Sequence, residues 1–128
     1  MPSLEITIPL PPQATRSNMR HSHWSQKSTP VRQQRYDAGL AAIHALQQAK
    51  MTAPLWKHVT ILATFHRPKG RPADSGNLIN WLKPSEDGLQ DAKIIQNDRY
   101  VTWLPPKEIL GKAAAEPKVV LLITETEA

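Results

Sequence analysis

Between Arg71 and Asp98 the chain reads RPADSGNLINWLKPSEDGLQDAKIIQND, and its carboxylates gather there. Residues 74–100 hold Asp74, Glu86, Asp87, Asp91 and Asp98 against Lys83, Lys93 and Arg99. Residues 1–73 reverse the balance, with ten Lys or Arg against only Glu5 and Asp37. An acidic cluster in a basic chain suits metal-dependent phosphodiester chemistry. The basic surface holds a nucleic-acid backbone, and the acids hold a divalent cation that activates water and steadies the leaving oxygen. A merely solvated helix face gives the same pattern, so charge alone leaves both readings open.

The bulk composition narrows the classes. The chain has 128 residues, a net charge of +5 and 40% hydrophobic residues, enough for one domain with a modest core. Basic charge points to a polyanionic partner. There is no cysteine, which excludes a disulfide framework and a thiolate metal site. No apolar run approaches a membrane span. The N-terminal MPSLEITIPLPP lacks a basic segment followed by an apolar core, so a cytoplasmic protein without a signal peptide is expected.

These candidate residues need elements to position them. LEITIPL alternates Leu4, Ile6 and Ile8 with polar residues, which predicts a strand ended by the following prolines. Arg16 to Thr29 has no regular period and reads as a polar, basic loop. Thr29-Pro30 is a helix start, and Tyr36, Leu40, Ile43 and Leu46 predict a helix to about Lys50, packed on a sheet through that row. His44 reads as a surface or packing histidine. WKHVTILATFHRP predicts a strand with Val59, Ile61, Ala63 and Phe65 on one face, followed by the basic turn RPKGRPAD. Leu78, Leu82 and Leu89 then form a buried helical face. Gly76, Asn80, Lys83 and Asp87 form a polar stripe, and Pro84 either kinks the helix or divides it in two. A third strand is expected near Arg99, a loop or short helical turn over PPKEILGKAAAEP, and a last strand in KVVLLITETE. The order β-α-β-α-β-β predicts an α+β domain with a small mixed sheet.

The segment from Arg71 to Val101 resembles the RusA-type Holliday junction resolvases, small dimeric endonucleases of bacteria and their phages. The resemblance rests on a basic turn, D-x-x-N-L in DSGNL, then LKP, DGL, the pair II, and NDRYV. ITIPLPP followed by a basic loop is similar to the family's first strand and its exit. By this resemblance Asp74 matches the first aspartate of the family's D-x-D-N, Asn77 its asparagine, Asp98 the second of its paired aspartates, and Lys83 its helical lysine. Two positions depart: Gly76 and Asn97 stand where the family has aspartates. The resemblance implies a Mg²⁺ or Mn²⁺ site on Asp74 and Asp98, with Asn97 offering a neutral oxygen and Asp87 or Asp91 available to add charge.

The expected activity is Mg²⁺-dependent cleavage of Holliday junctions or other branched DNA in recombination or repair. The alternatives are a weakened relative that binds junctions without cutting, or a basic adaptor for protein or RNA. Asp74 and Asp98 should then lie close together at a basic groove. Arg16, Arg20, Lys27, Arg67, Lys69 and Arg71 should line the DNA path. Paired cuts on opposed strands require two sites, hence a homodimer. Trp81, off the Leu78–Leu82–Leu89 face, is the candidate interface residue, with burial in the core as its competing role.

Overall fold

The computed structural model describes residues 2–12 and 25–127. The order is β1 (Ser3–Ile8), α1 (Ser25–Ala49), β2 (Val59–Arg67), α2 (Ser75–Trp81), α3 (Lys83–Asp91), β3 (Val101–Trp103), β4 (Lys107–Leu110) and β5 (Lys118–Glu125). Short 3₁₀ turns at Asp98–Tyr100 and Gly111–Ala114 precede β3 and follow β4. The result is an α+β fold with a mixed five-stranded sheet, as the sequence pattern predicts.

The central strand is β2. It pairs antiparallel with β5, which pairs antiparallel with β1. On its other edge β2 meets β3 and then β4, both parallel: Val59–Ile61 against Val101–Trp103, then Thr64–Arg67 against Lys107–Leu110. Pro105 and Pro106 separate these two short strands. Proline has no N–H for the ladder, so it falls on an edge. Sequence reasoning assigned Lys107–Leu110 to a loop, because four residues between prolines and a glycine carry too little alternation to signal a strand.

One sheet face carries the core. Val59, Ile61, Ala63 and Phe65 of β2, Leu4, Ile6 and Ile8 of β1, and Val119, Leu121 and Ile123 of β5 are buried against all three helices. Alternation every second residue puts these side chains on one side. Leu78, Leu82 and Leu89 are buried as expected. The α2–α3 region is a two-part helix with Leu82 at the joint and Pro84 in the first turn of α3. That position tolerates proline, because its missing N–H would lack a partner there anyway.

Helix α1 departs from expectation twice. It begins at Ser25, ahead of Thr29, and takes Pro30 inside. It also turns a different face to the core. Ala38, Ala42 and Leu46 are buried, while Tyr36, Leu40 and Ile43 are 62%, 48% and 47% exposed. The physical reason is the approach of α3. A Cβ placed on Gly88 would lie 2.2 Å from the Arg35 carbonyl oxygen and 3.0 Å from both the Ala38 Cβ and the Gly39 N. Two helices this close accept only small residues at the crossing, so the bulky row of α1 faces outward. Buried Gln34 fixes the crossing. Its Nε2 donates to the Trp81 carbonyl at 2.7 Å and to Ser85 Oγ at 2.9 Å.

Candidate functional site

Asp74 sits at the N-cap of α2. Its Oδ1 accepts from the Asn77 backbone N–H at 2.9 Å and its Oδ2 from the Asn77 amide at 3.2 Å. The D-x-x-N spacing therefore builds a helix cap, in which a carboxylate satisfies a first-turn N–H. Gly76, exposed on the same turn, adds no carboxylate.

Lys83, first residue of α3, reaches across fifteen residues of sequence. Its Nζ donates to Asp98 Oδ2 and to Glu86 Oε1, both at 2.9 Å. The bond to Asp98, then the one to Glu86, raises the Lys83 pKa well above its ordinary value. Lys83 in turn holds the Asp98 carboxyl below its ordinary 3.8. Lys83 and Asp98 are both about half exposed, whereas Glu86 is 4% exposed. The second oxygen of Glu86 accepts from Trp103 Nε1 at 2.8 Å. The chain thus buries one carboxylate beneath a lysine and leaves another open above it. Sequence reasoning counted Glu86 among the acids but gave it no part in the site. The available signal was its i+3 spacing from Lys83, which puts the two on one helix face.

The expected Asp74–Asp98 pair does not form a bonded unit. Asp98 is held by Lys83 and Asp74 by Asn77, and the two acids share no bonding partner among the described residues. Helix α2, seven residues and roughly 10 Å long, stands between Asp74 and Lys83. Asn97 spends its side-chain oxygen locally, accepting from the Arg99 N–H at 3.1 Å. Asp91 is paired with Arg35. Among the described residues no group of three or more His, Asp or Glu side chains is placed to hold a metal ion. Asp98 is a half-exposed hard oxygen donor, and Mg²⁺ takes one or two such carboxylates together with water and phosphate. The donor chemistry therefore fits at this minimal level, with Asp98 as the anchor.

The basic residues separate into two kinds. Lys69 and Arg71 are exposed on the turn after β2. Arg67, expected on the DNA path, is 6% exposed instead. Its Nη1 donates to Glu108 Oε2 at 2.5 Å and to the Arg71 carbonyl at 2.8 Å, and its guanidinium lies 5.1 Å over the Trp81 ring. Arg67 is thus an internal brace. It folds the basic turn back over β4, and the other oxygen of Glu108 accepts from the Ala73 N–H just before Asp74. Trp81 is 4% exposed and packs edge-on to Phe65, so it belongs to the core and not to an interface. Arg16 and Arg20 lie outside the described residues, as does the side chain of Lys27.

A second basic group adjoins Asp98. Lys57 Nζ and the Arg99 guanidinium lie 4.9 and 5.0 Å from the Tyr100 ring centre, and Arg99 Nη2 donates to the Tyr100 hydroxyl at 3.1 Å.

No family model matches the chain. Over 97 residues, 76% of its length, it is 29% identical to an uncharacterized protein of Xylella fastidiosa (strain Temecula1 / ATCC 700964). The match spans 62% of that relative's length. No helix among the described residues is long and apolar enough to cross a membrane.

Proposed function

We propose that this protein is a Mg²⁺-dependent endodeoxyribonuclease of branched DNA, acting on four-way junctions in recombination or repair, in the cytoplasm of a bacterial or phage-infected cell. The supporting observation is Lys83 held at 2.9 Å from Asp98 on a chain of net charge +5. Asp98 is the residue that would anchor the cation, with Mn²⁺ as a substitute. When bound, the ion supplies a more acidic water and a counter-charge for the phosphate. Lys83 supplies fixed positive charge where negative charge develops on the phosphoryl oxygens. Asp98 steadies that ammonium, and Glu86 holds it from below. Lys69 and Arg71 contact the backbone.

The test is cleavage of a labelled synthetic four-way junction with Mg²⁺ or Mn²⁺. Wild type should cut, and Asp98→Asn should lose at least a hundredfold in rate while still binding. A wild type that leaves the junction intact under both metals sinks the nuclease reading.

A second reading, junction binding without cutting, is favoured by one feature. The Lys83 ammonium already lies between the carboxylates of Asp98 and Glu86, and Gly76 and Asn97 add no acid. Gly76→Asp with Asn97→Asp separates the two readings. A Cβ at Gly76 meets only Asp74 Oδ1, at an ordinary 3.5 Å, so the added carboxylate has room. If the site is merely short of acid, the double variant gains metal-dependent cleavage.

Paired cuts need two copies. Tyr36, Leu40 and Ile43 form a contiguous exposed apolar row on α1, unlike the isolated apolar residues common on surfaces. A second copy of this chain, packed isologously on that row, is the proposed dimer. Sedimentation of Leu40→Glu against wild type tests it; a wild type that stays monomeric with and without junction DNA removes paired cutting.

A further inference from the structure

We infer that Lys57, Tyr100 and Arg99 form a preassembled contact for a DNA strand beside Asp98, distinct from the Lys69–Arg71 turn. The inference rests on the reading of Lys83 and Asp98 as a phosphodiester site and says where on the surface the strand is gripped.

Three observations carry it. First, the two cations are set on one ring: Lys57 Nζ is 4.9 Å and the Arg99 guanidinium 5.0 Å from the Tyr100 centre. The Arg99–Tyr100 hydroxyl bond and the edge of His58, 4.9 Å from the same ring, fix the ring in place. Second, both cations are exposed, and among the described residues neither is paired with a carboxylate. By contrast Arg35, Arg67 and Lys83 are all neutralised by acids. Cation–π contact orients a side chain without cancelling its charge, so Lys57 and Arg99 keep their charge for an outside anion. Third, the patch is at the right end of the molecule. Arg99 follows Asp98 directly, and Val101 pairs with Val59, two residues after Lys57. Lys69 and Arg71 follow the far end of β2, nine residues away along the strand, about 30 Å at the usual rise.

A ligand that fits is a chain of phosphates with flat bases. Phosphate oxygens pair with a lysine and an arginine, and the arginine plane also accepts a stacked base. A single small anion would meet the two cations but would gain nothing from the distance between this patch and the basic turn. A strand long enough to run along β2 meets both.

The experiment measures binding of a labelled synthetic four-way junction in EDTA as a function of salt, so cleavage plays no part. Each lost phosphate contact should flatten the slope of log K against log salt by about 0.9. Lys57→Gln with Arg99→Gln should therefore flatten it by about 1.8. Tyr100→Leu, which keeps both charges but removes their support, should weaken binding roughly threefold to tenfold at an unchanged slope. Both variants should keep the wild-type melting temperature within a few degrees. An unaltered slope in the double glutamine variant, with junction binding intact, overturns the patch and leaves the nuclease reading standing. A wild type that binds no DNA overturns both. Equal loss on RNA hairpins and on junctions would support the strand contact but assign it to nucleic acid generally.

Discussion

Two arginine–carboxylate pairs of nearly equal length brace different parts of this molecule. Arg67 meets Glu108 at 2.5 Å beneath the basic turn, with side chains 7% and 12% exposed. Arg35 meets Asp91 at 2.6 Å on the outer side of the α1–α3 crossing, with side chains 50% and 51% exposed. Similar bond lengths do not make them equal in energy, even though Arg35 grips both oxygens of Asp91 and Arg67 one oxygen of Glu108. The buried pair has given up its water, so each partner depends on the other. The exposed pair exchanges one set of strong interactions with water for another. The buried pair positions the turn that leads into Asp74. The exposed pair decorates a crossing that Gly88 and Gln34 already hold.

The largest expected effect comes from breaking the buried pair on one side. Glu108→Ala leaves the Arg67 guanidinium buried without its counter-charge and should cost about 3–5 kcal/mol in denaturant unfolding. Arg67→Met with Glu108→Leu removes both charges and should recover most of that loss. If the single and double variants unfold alike, the turn depends on something other than this pair.

Next comes the crossing itself. Gly88→Ala forces a methyl to within 2.2 Å of the Arg35 carbonyl oxygen, and the backbones must separate. A loss of about 1–3 kcal/mol is expected. It should come with increased hydrogen exchange across α1.

The smallest effect belongs to the exposed pair. Asp91→Ala should cost no more than about 1 kcal/mol, and added salt should erase most of it. Its signature is in titration. The hydrogen bonds from Arg35 hold the Asp91 carboxyl below its ordinary 3.8. Because the folded value is depressed, the contribution stands at neutral pH and disappears as pH falls through that value. In an NMR titration the Asp91 midpoint should return toward 3.8 in Arg35→Gln. An unmoved midpoint would mean that the pair seen here does not persist in solution.

How far the sequence revealed this arrangement depended on whether each signal was local. Strands β1 and β2 announce themselves by alternation and β5 by a continuous apolar, β-branched run, and Pro84 divides α2 from α3 where its missing N–H costs nothing. Helix α1 announced its existence but not its orientation. It carries two rows at helical spacing, one bulky and one of small residues, and only the closeness of α3 decides which is buried. Arg67 looks like a surface residue in the sequence, and Trp81 stays open there between interface and core. Both are buried, because they stack on each other beside a carboxylate from β4. The Lys83–Asp98 contact joins two residues that the sequence singles out, but the partner beneath it, Glu86, needed the fold to bring Trp103 alongside.

The prolines at the margins of the sheet carry one more consequence. The outer edge of β1 runs only from Ser3 to Ile8, between Pro2 and Pro9. The opposite edge is cut in two at Pro105-Pro106. A neighbouring chain that tried to extend this sheet would find a few N–H and C=O groups and then a proline, on either side. Among the described residues, growth of the sheet by strand addition is thus confined to a short stretch at each margin. A pair of copies formed on the proposed outward row of α1 would then meet through side chains, with little competition from the backbone.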